Sequence, residues 1–310
     1  MQSYAFIFPG QGSQHAGMGK ELADNFKAAR VSFEEADDAL GFSLSRLCFE
    51  GPEEELKLTA NTQPAILAAS VAALRVLREE SAITPSFLAG HSLGEYSALV
   101  ASGALDFADA LRTVRARGSF MQDAVPVGVG AMAAILGAEA EVLQEICAEA
   151  AQGEIVSPAN FNSPGQIVVA GHTAAVNRAI EIAKARGFRK AMLLPVSAPF
   201  HCALMQKAAD RLAEALEPVR VNALSAPVVS NVEAKPNSDA ARVKPLLVQQ
   251  VCAPVLWDAI VQHIVAAGVT SFVEIGPGKV LAGLVKRIAK ETTSFNVQDS
   301  AGIKAITGGA

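Results

Sequence analysis

Positive charge is the first thing this chain is short of. Its 26 Lys and Arg face 31 Asp and Glu, for a formal charge of −5, so no chain-wide basic field exists to gather nucleic acid. An acidic partner would have to be met through a local basic patch. Cysteine is sparse as well. Cys48, Cys147, Cys202 and Cys252 stand without C-x-x-C spacing and read as buried, reduced thiols rather than a disulfide framework. His15, His91, His172, His201 and His263 lack H-E-x-x-H or similar spacing, so no metal is expected. The opening MQSYAFIFPG has an apolar run but neither a basic lead nor a cleavage pattern, and reads as a first strand. No apolar stretch is long enough to span a bilayer. A globular, cytoplasmic protein without membrane contact is expected.

What is present is apolar. Hydrophobic residues make up 51% of 310 positions, enough to fill a sizeable core in two domains or one large one. Strands alternate with helices: YAFIF (4–8), the long helix 62–80 with Pro64 near its start, SFLAG (86–90), then SFVEI (271–275) before GPGKVLAGLVKRIAK. This alternation predicts a parallel, helix-covered sheet. The middle differs. Residues 128–196 read as strand, helix, strand, strand, helix, strand, the ferredoxin-like order, with NSPGQ as the tight turn between the central strands. The expectation is an α/β protein: a large domain in two halves, 1–127 and 197–310, with an inserted small domain at 128–196. The tail after Thr292 is weakly patterned, and its TGGA end reads as loose.

The chemistry begins at GHSLGEYSAL (90–99), where Ser92 stands between glycines spaced G-x-S-x-G, after a strand and before a helix. A sharp strand-to-helix turn that lifts a side chain at its apex leaves little room for Cβ atoms two residues away, and it aims the next backbone N–H groups at the same point. A chance match in a glycine-rich turn is the alternative. FPGQGSQHAGMG (8–19) fits neither G-x-G-x-x-G nor the phosphate-loop spacing. It reads as a structural turn, or as a loop whose N–H groups complement that of Leu93 in an oxyanion hole.

On the helix 106–122, Phe107, Ala110, Leu111, Val114, Gly118 and Met121 make one apolar stripe, with Arg112 and Arg115 opposite. Arg117 falls at the stripe's edge, about 60° from Val114. There it pairs with an internal carboxylate, awaits an anionic ligand, or snorkels at the boundary. A serine hydroxyl needs a base. His91 should diverge from its neighbour Ser92 on a tight turn. His201, where the small domain returns to the large one, is a candidate base or else a satisfied structural histidine. Cys202 beside it reads as structural. EIGPGKVL (274–281) reads as a strand–turn–helix junction.

These motifs, FPGQGSQ, TQPA (62–65), GHSLGEYSAL, FNSPGQIVVAGH (161–172), PVSAPFH (195–201) and EIGPGKVL, stand in the order seen in malonyl-CoA:acyl carrier protein transacylases, and the chain resembles the stand-alone bacterial type over nearly its whole length. The resemblance implies an α/β-hydrolase-like large domain with a nucleophile elbow. It implies Ser92 as the acylated nucleophile, His201 as base, Gln11 and Leu93 as oxyanion donors, and Arg117 as the seat of the malonyl carboxylate. It also implies a main-chain carbonyl, with Gln250 as candidate, orienting His201 in place of an acid. Asn162 and Phe200 would belong to the pocket. Phe200 departs from the family's pattern before the histidine and would crowd an α-methyl branch. Transfer would run by ping-pong, failing as pH falls through the imidazole pKa, between malonyl-CoA and the phosphopantetheine thiol of acyl carrier protein. No cofactor and a monomer are expected. Lys286, Arg287, Lys290, Arg189 and Lys190 form the candidate carrier-protein patch, or an ordinary solvated face. The rivals are a thioesterase, which would deliver the acyl group to water, and a carrier-binding module whose Ser92 is never acylated.

Overall fold

Strand β1 (Tyr4–Phe8) is apolar at nearly every position, and it is buried on both faces, as a strand between two helical layers must be. Phe6 and Phe8 pack into one layer while Ala5 and Ile7 pack into the other. The computed structural model describes residues 3–196 and 198–308. The further strands are β2 (Pro85–Gly90), β3 (Gly130–Leu136), β4 (Val156–Ser163), β5 (Gln166–His172), β6 (Ala191–Leu193), β7 (Val228–Val229), β8 (Pro236–Asn237), β9 (Ser271–Ile275) and β10 (Thr293–Val297).

The first sheet runs β10-β9-β1-β2-β7-β8, parallel except for its last pair. This is the α/β architecture expected. The second sheet, β4-β5-β3-β6, is antiparallel throughout, the strand order of a ferredoxin-like unit. Its helices Ala140–Ala151 and Thr173–Ala185 close a core around Ile135, Leu143, Ile146, Val169 and Val176. The opposite face, through Met132, Val168 and Ala170, joins the core of the first sheet. The two are stitched at β4, where Phe161 N–H donates to Val255 and Val255 N–H donates to Ala159, both at 2.9 Å.

Two helices set up the site. The helix Thr59–Glu80 is buried along most of its length and starts before the expected Thr62. The helix Phe107–Asp123 carries Asp106 as N-cap and buries the whole stripe read from its sequence, with Arg117 inside rather than at the edge. They cross closely at Gly118, where a Cβ would meet Thr59 O at 2.6 Å.

Several expectations fail for identifiable reasons. The tail after Thr292 is ordered as β10 and the helix Ser300–Thr307. Its signal is faint because β10 is a half-exposed edge strand whose order comes from pairing with β9, and the helix is short. The last strand of the 128–196 unit is short, with β6 covering three residues. Cys252 is half-exposed rather than buried. Arg115 is half-buried, lying 4.3 Å over the Phe42 ring. Ser197 in the PVSAPFH motif, the boundary at 197, and positions 309–310 of the tail lie outside the described residues.

Two glycine substitutions test this packing. Gly283, exposed in the helix Val280–Ile288 with open space where a Cβ would go, should gain about 0.5–1 kcal/mol of stability as Gly283→Ala. Gly118→Ala forces a Cβ into backbone and should cost about 1–3 kcal/mol. Denaturant midpoints of both variants check the opposite signs.

Candidate active site

Ser92 sits between β2 and the helix Gly94–Ala101 with φ 51°, a left-handed conformation that non-glycine residues rarely hold. Three contacts enforce it. A Cβ on Gly90 would meet the Gly94 carbonyl at 2.0 Å, and one on Gly94 would meet the Phe8 carbonyl at 2.1 Å. Asn231 brackets the turn from outside: its Oδ1 accepts from Ser92 N–H at 2.6 Å and its Nδ2 donates to Gly90 O at 2.7 Å. The turn therefore has the tight strand–turn–helix geometry implied by the glycine spacing, pressed against the C-terminal end of β1.

His201 approaches from the loop after β6, itself at φ 60°. Its Nδ1 lies 2.8 Å from the backbone carbonyl of Gln250 and its Nε2 lies 2.8 Å from Ser92 Oγ. A carbonyl can only accept, so Nδ1 carries the hydrogen and Nε2 is the acceptor. Arg117 Nη2 donates to the same Ser92 Oγ at 3.1 Å. With that oxygen already accepting, the serine's own hydrogen is directed at His201. No carboxylate among the described residues bonds the histidine ring. His91, as expected, points away. Its Nε2 meets Asn162 Oδ1 at 2.9 Å and its ring lies 5.8 Å from that of Trp257.

Arg117 is 1% exposed, a rare state for a guanidinium. Nη1 donates to Gln63 Oε1 at 2.8 Å and Nη2 to Gln250 Oε1 at 2.9 Å, with the Tyr96 ring 5.6 Å below. Its Nε–H is buried and has no acceptor among the described residues. The nearest negative group is Glu95, itself buried, and it reaches Arg117 only through Gln250, whose Nε2 donates to Glu95 Oε2 at 2.8 Å. The same Glu95 oxygen accepts from Asn231 N–H at 3.0 Å.

The serine opens into a cavity of about 140 Å³ lined by Arg117 and Gln63 and by the apolar side chains of Met121, Met132 and Phe200. Gln11 lines it, and the N–H groups of Gln11 and Leu93 bond no acceptor among the described residues. A second cavity of about 240 Å³ shares Gln11, His91 and Asn160 with the first. Asn162 belongs to that second cavity and holds His91, rather than lining the space around Ser92. Gln63, Glu95 and Asn231 escape sequence reading, although TQPA and GHSLGE contain the first two. Among the described residues no group of His, Cys, Asp and Glu could hold a metal.

Burial, and after it the Arg117 charge, pushes the His201 pKa down to about 3, against the pull of its Gln250 carbonyl. Burial raises Glu95 to about 7, opposed by its bonds to Gln250 and Asn231 and by Arg117. The arrangement is thus a neutral imidazole bonded to a half-buried hydroxyl, beside a fixed buried cation and two N–H groups unpaired among the described residues.

An acyl transferase domain model matches residues 5–307. The malonyl CoA-acyl carrier protein transacylase of Salmonella typhimurium is 50% identical over 305 residues, covering 98% of this chain and 99% of that one. Its counterpart in Bacillus subtilis strain 168 is 50% identical over 300 residues, covering 96% and 94%. Among solved structures, an acyl carrier protein S-malonyltransferase of Vibrio cholerae superposes with a TM-score of 0.96 at 48% identity, covering 98% and 100%. A malonyl-transacylase in complex with its type II PKS acyl-carrier protein superposes with a TM-score of 0.97 at 48% identity, covering 100% of both chains. No helix among the described residues is long and apolar enough to cross a membrane.

The electrostatics are open to measurement. In ¹⁵N-histidine NMR the His201 ring should stay neutral far below the ordinary imidazole value of 6.5, titrating near 3. Arg117→Ala removes a like charge that opposes protonation, so the midpoint should rise towards 6.5. A wild-type midpoint near 6.5 contradicts the described burial.

Proposed function

This chain belongs to the acyl transferase domain family, and we propose that it passes malonyl from malonyl-CoA to the phosphopantetheine thiol of acyl carrier protein through a Ser92 acyl-enzyme, supplying fatty-acid synthesis. The observation that carries the route is the single direction left for the serine proton: Arg117 donates into Ser92 Oγ, and His201 Nε2 is the acceptor opposite. Ser92 Oγ attacks the thioester carbonyl while His201 takes its proton. The N–H groups of Gln11 and Leu93 receive the oxyanion. Protonated His201 then delivers the proton to the departing CoA sulfur. A histidine held so far below its ordinary pKa makes a strongly acidic imidazolium, suited to returning that proton at once. The carrier-protein thiol repeats the sequence in reverse, giving ping-pong kinetics. Activity should therefore persist well below pH 6.5, because burial moves the acid limb downward with the His201 pKa.

Arg117 would take the malonyl carboxylate, offering its unpaired Nε–H and the Nη2–H now turned to Ser92. Phe200, 8% exposed and lining the same cavity, would bound the acyl group and crowd an α-methyl branch. Lys286, Arg287, Lys290, Arg189 and Lys190 are exposed, and Arg287 also donates to Gln166 on the second cavity's wall at 2.6 Å. This basic edge suits an acidic carrier protein. The enzyme would work as a cytoplasmic monomer, with no cofactor or metal, CoA and phosphopantetheine arriving on substrate and partner.

Intact-protein mass spectrometry after mixing with malonyl-CoA tests the route. The wild type should carry one malonyl adduct that holo-acyl carrier protein discharges faster than water does, and Ser92→Ala should carry none. An adduct on the Ala variant removes the acyl-enzyme at Ser92, and discharge to water at the same rate makes the protein a thioesterase. The second measurement is kcat/KM for malonyl-CoA and acetyl-CoA. Arg117→Ala should lower malonyl transfer roughly 30-fold or more, since truncating one member of a buried charge pair costs about 2–5 kcal/mol. Acetyl transfer should be spared. An equal loss for both makes Arg117 structural.

A further inference from the structure

Arg117 is held in place without being neutralised. Of its five N–H bonds, one goes to Gln63, one to Gln250 and one to Ser92. Every one of these acceptors is an uncharged oxygen. A buried arginine is ordinarily matched by a carboxylate, because an isolated buried charge is costly. Here the carboxylate at hand, Glu95, is kept one amide away behind Gln250. Gln250 has other duties that explain its identity, for its carbonyl holds His201 and its amide N–H donates to Ser92 O at 3.0 Å and to Glu95. Gln63 has no such duties. It is 1% exposed, lines the serine's cavity, and among the described residues its amide nitrogen meets only the Met121 sulfur at 3.8 Å, a weak acceptor.

A glutamine in that position supplies an acceptor oxygen for Nη1 and nothing else. A glutamate would fit the same space and bond the same nitrogen, but it would cancel the charge. We propose that Gln63 is a specificity-determining positioning residue: its neutral amide orients the Arg117 guanidinium while leaving the full positive charge available to a carboxylate-bearing acyl group. This deepens, and rests on, the reading of Arg117 as the malonyl carboxylate's seat.

The physical consequence is a difference between two substrates. With a neutral residue at 63, an arriving malonyl carboxylate meets an unneutralised cation in a low-dielectric pocket, where attraction is strong. With Glu at 63, the same carboxylate meets a satisfied ion pair and a second negative charge. Acetyl carries no charge and is indifferent to the change.

The test is single-turnover acylation of Ser92 by malonyl-CoA and acetyl-CoA, followed by mass spectrometry, on Gln63→Glu and Gln63→Leu. Gln63→Glu should slow malonyl acylation roughly 30-fold or more and leave acetyl acylation within about threefold. Gln63→Leu removes the bond without adding charge, so it should keep the malonyl-over-acetyl preference within about tenfold of wild type. Equal losses for both acyl groups in the Glu variant, no loss in either, or a Leu variant that loses the preference as fully as the Glu variant would each overturn the proposal. If Gln63→Glu proves too unstable to assay by thermal melt, the Leu variant tests the orienting bond by itself: the malonyl-over-acetyl preference should fall by about three- to tenfold, and an unchanged preference overturns the role of Gln63. Arg117→Ala separates this proposal from its premise. Selective loss in Arg117→Ala with none in Gln63→Glu sinks only the role of Gln63, whereas unselective loss in Arg117→Ala sinks the carboxylate seat itself.

Discussion

One residue, Gln250, ties Ser92, His201 and the buried charge of Arg117 into a single rigid unit. Its backbone carbonyl fixes the His201 ring, its Oε1 holds Arg117, and its Nε2 donates to Ser92 O and Glu95. The residue is fully buried at the end of the helix Ala240–Cys252. The orientation of its amide is not free. Arg117 has only donors, so the amide oxygen must face it and the amide nitrogen is left to donate to Glu95 Oε2, which also accepts from Asn231 N–H. Reversing the amide would set donor against donor at Arg117. A buried network in which every group has one permitted direction holds its geometry against thermal motion.

That rigidity is needed because the site contains three unfavourable arrangements. Ser92 and His201 both sit at positive φ, and a guanidinium lies in the core. Backbone strain of this kind costs about 1–3 kcal/mol per residue and persists only where the surroundings over-determine it. The surroundings are the sheet and its two helical layers. Asn231 pins the elbow, the Gly118 crossing brings Gln63 to Arg117, and the stitch at Val255 holds the second sheet against the chain that follows Gln250. The strain at Ser92 has a use: it presents the hydroxyl at the apex, clear of the strand, with the N–H of Leu93 behind it.

How far the sequence could be read depends on the kind of signal each residue carries. The stripe on the helix Phe107–Asp123 was legible because burial follows the helical period, and every stripe residue is buried. The elbow was legible because glycine spacing reports steric crowding directly. Arg117 stood out as a charge beside an apolar face, although the sequence left open what it pairs with. The answer, two glutamines and a serine in place of a carboxylate, has no pattern in the chain. Gln63, Asn231 and Glu95 are polar residues with no periodicity of their own. Asn231 meets Ser92 across 139 positions, and Gln250 meets Glu95 across 155. The tail was missed for a related reason, since β10 owes its order to β9 rather than to its own residues.

By itself the sequence determined the layers, the turn at Ser92, the candidates for nucleophile, base and cation, and the resemblance that joined them. Those are local properties: side-chain periodicity, turn sterics and residue chemistry lie within a few positions of one another. Only the tertiary structure decided which nitrogen of His201 carries the hydrogen, which way the serine proton points, and that Arg117 stays unneutralised. It also moved the His201 pKa from 6.5 to about 3, a change made by burial and by a guanidinium 84 positions away in the chain (201 minus 117). Hydrogen-bond direction and desolvation are set by neighbours in space, and in this fold those neighbours are drawn from three helices, the turn at Ser92 and the loop at His201, which no short stretch of sequence contains.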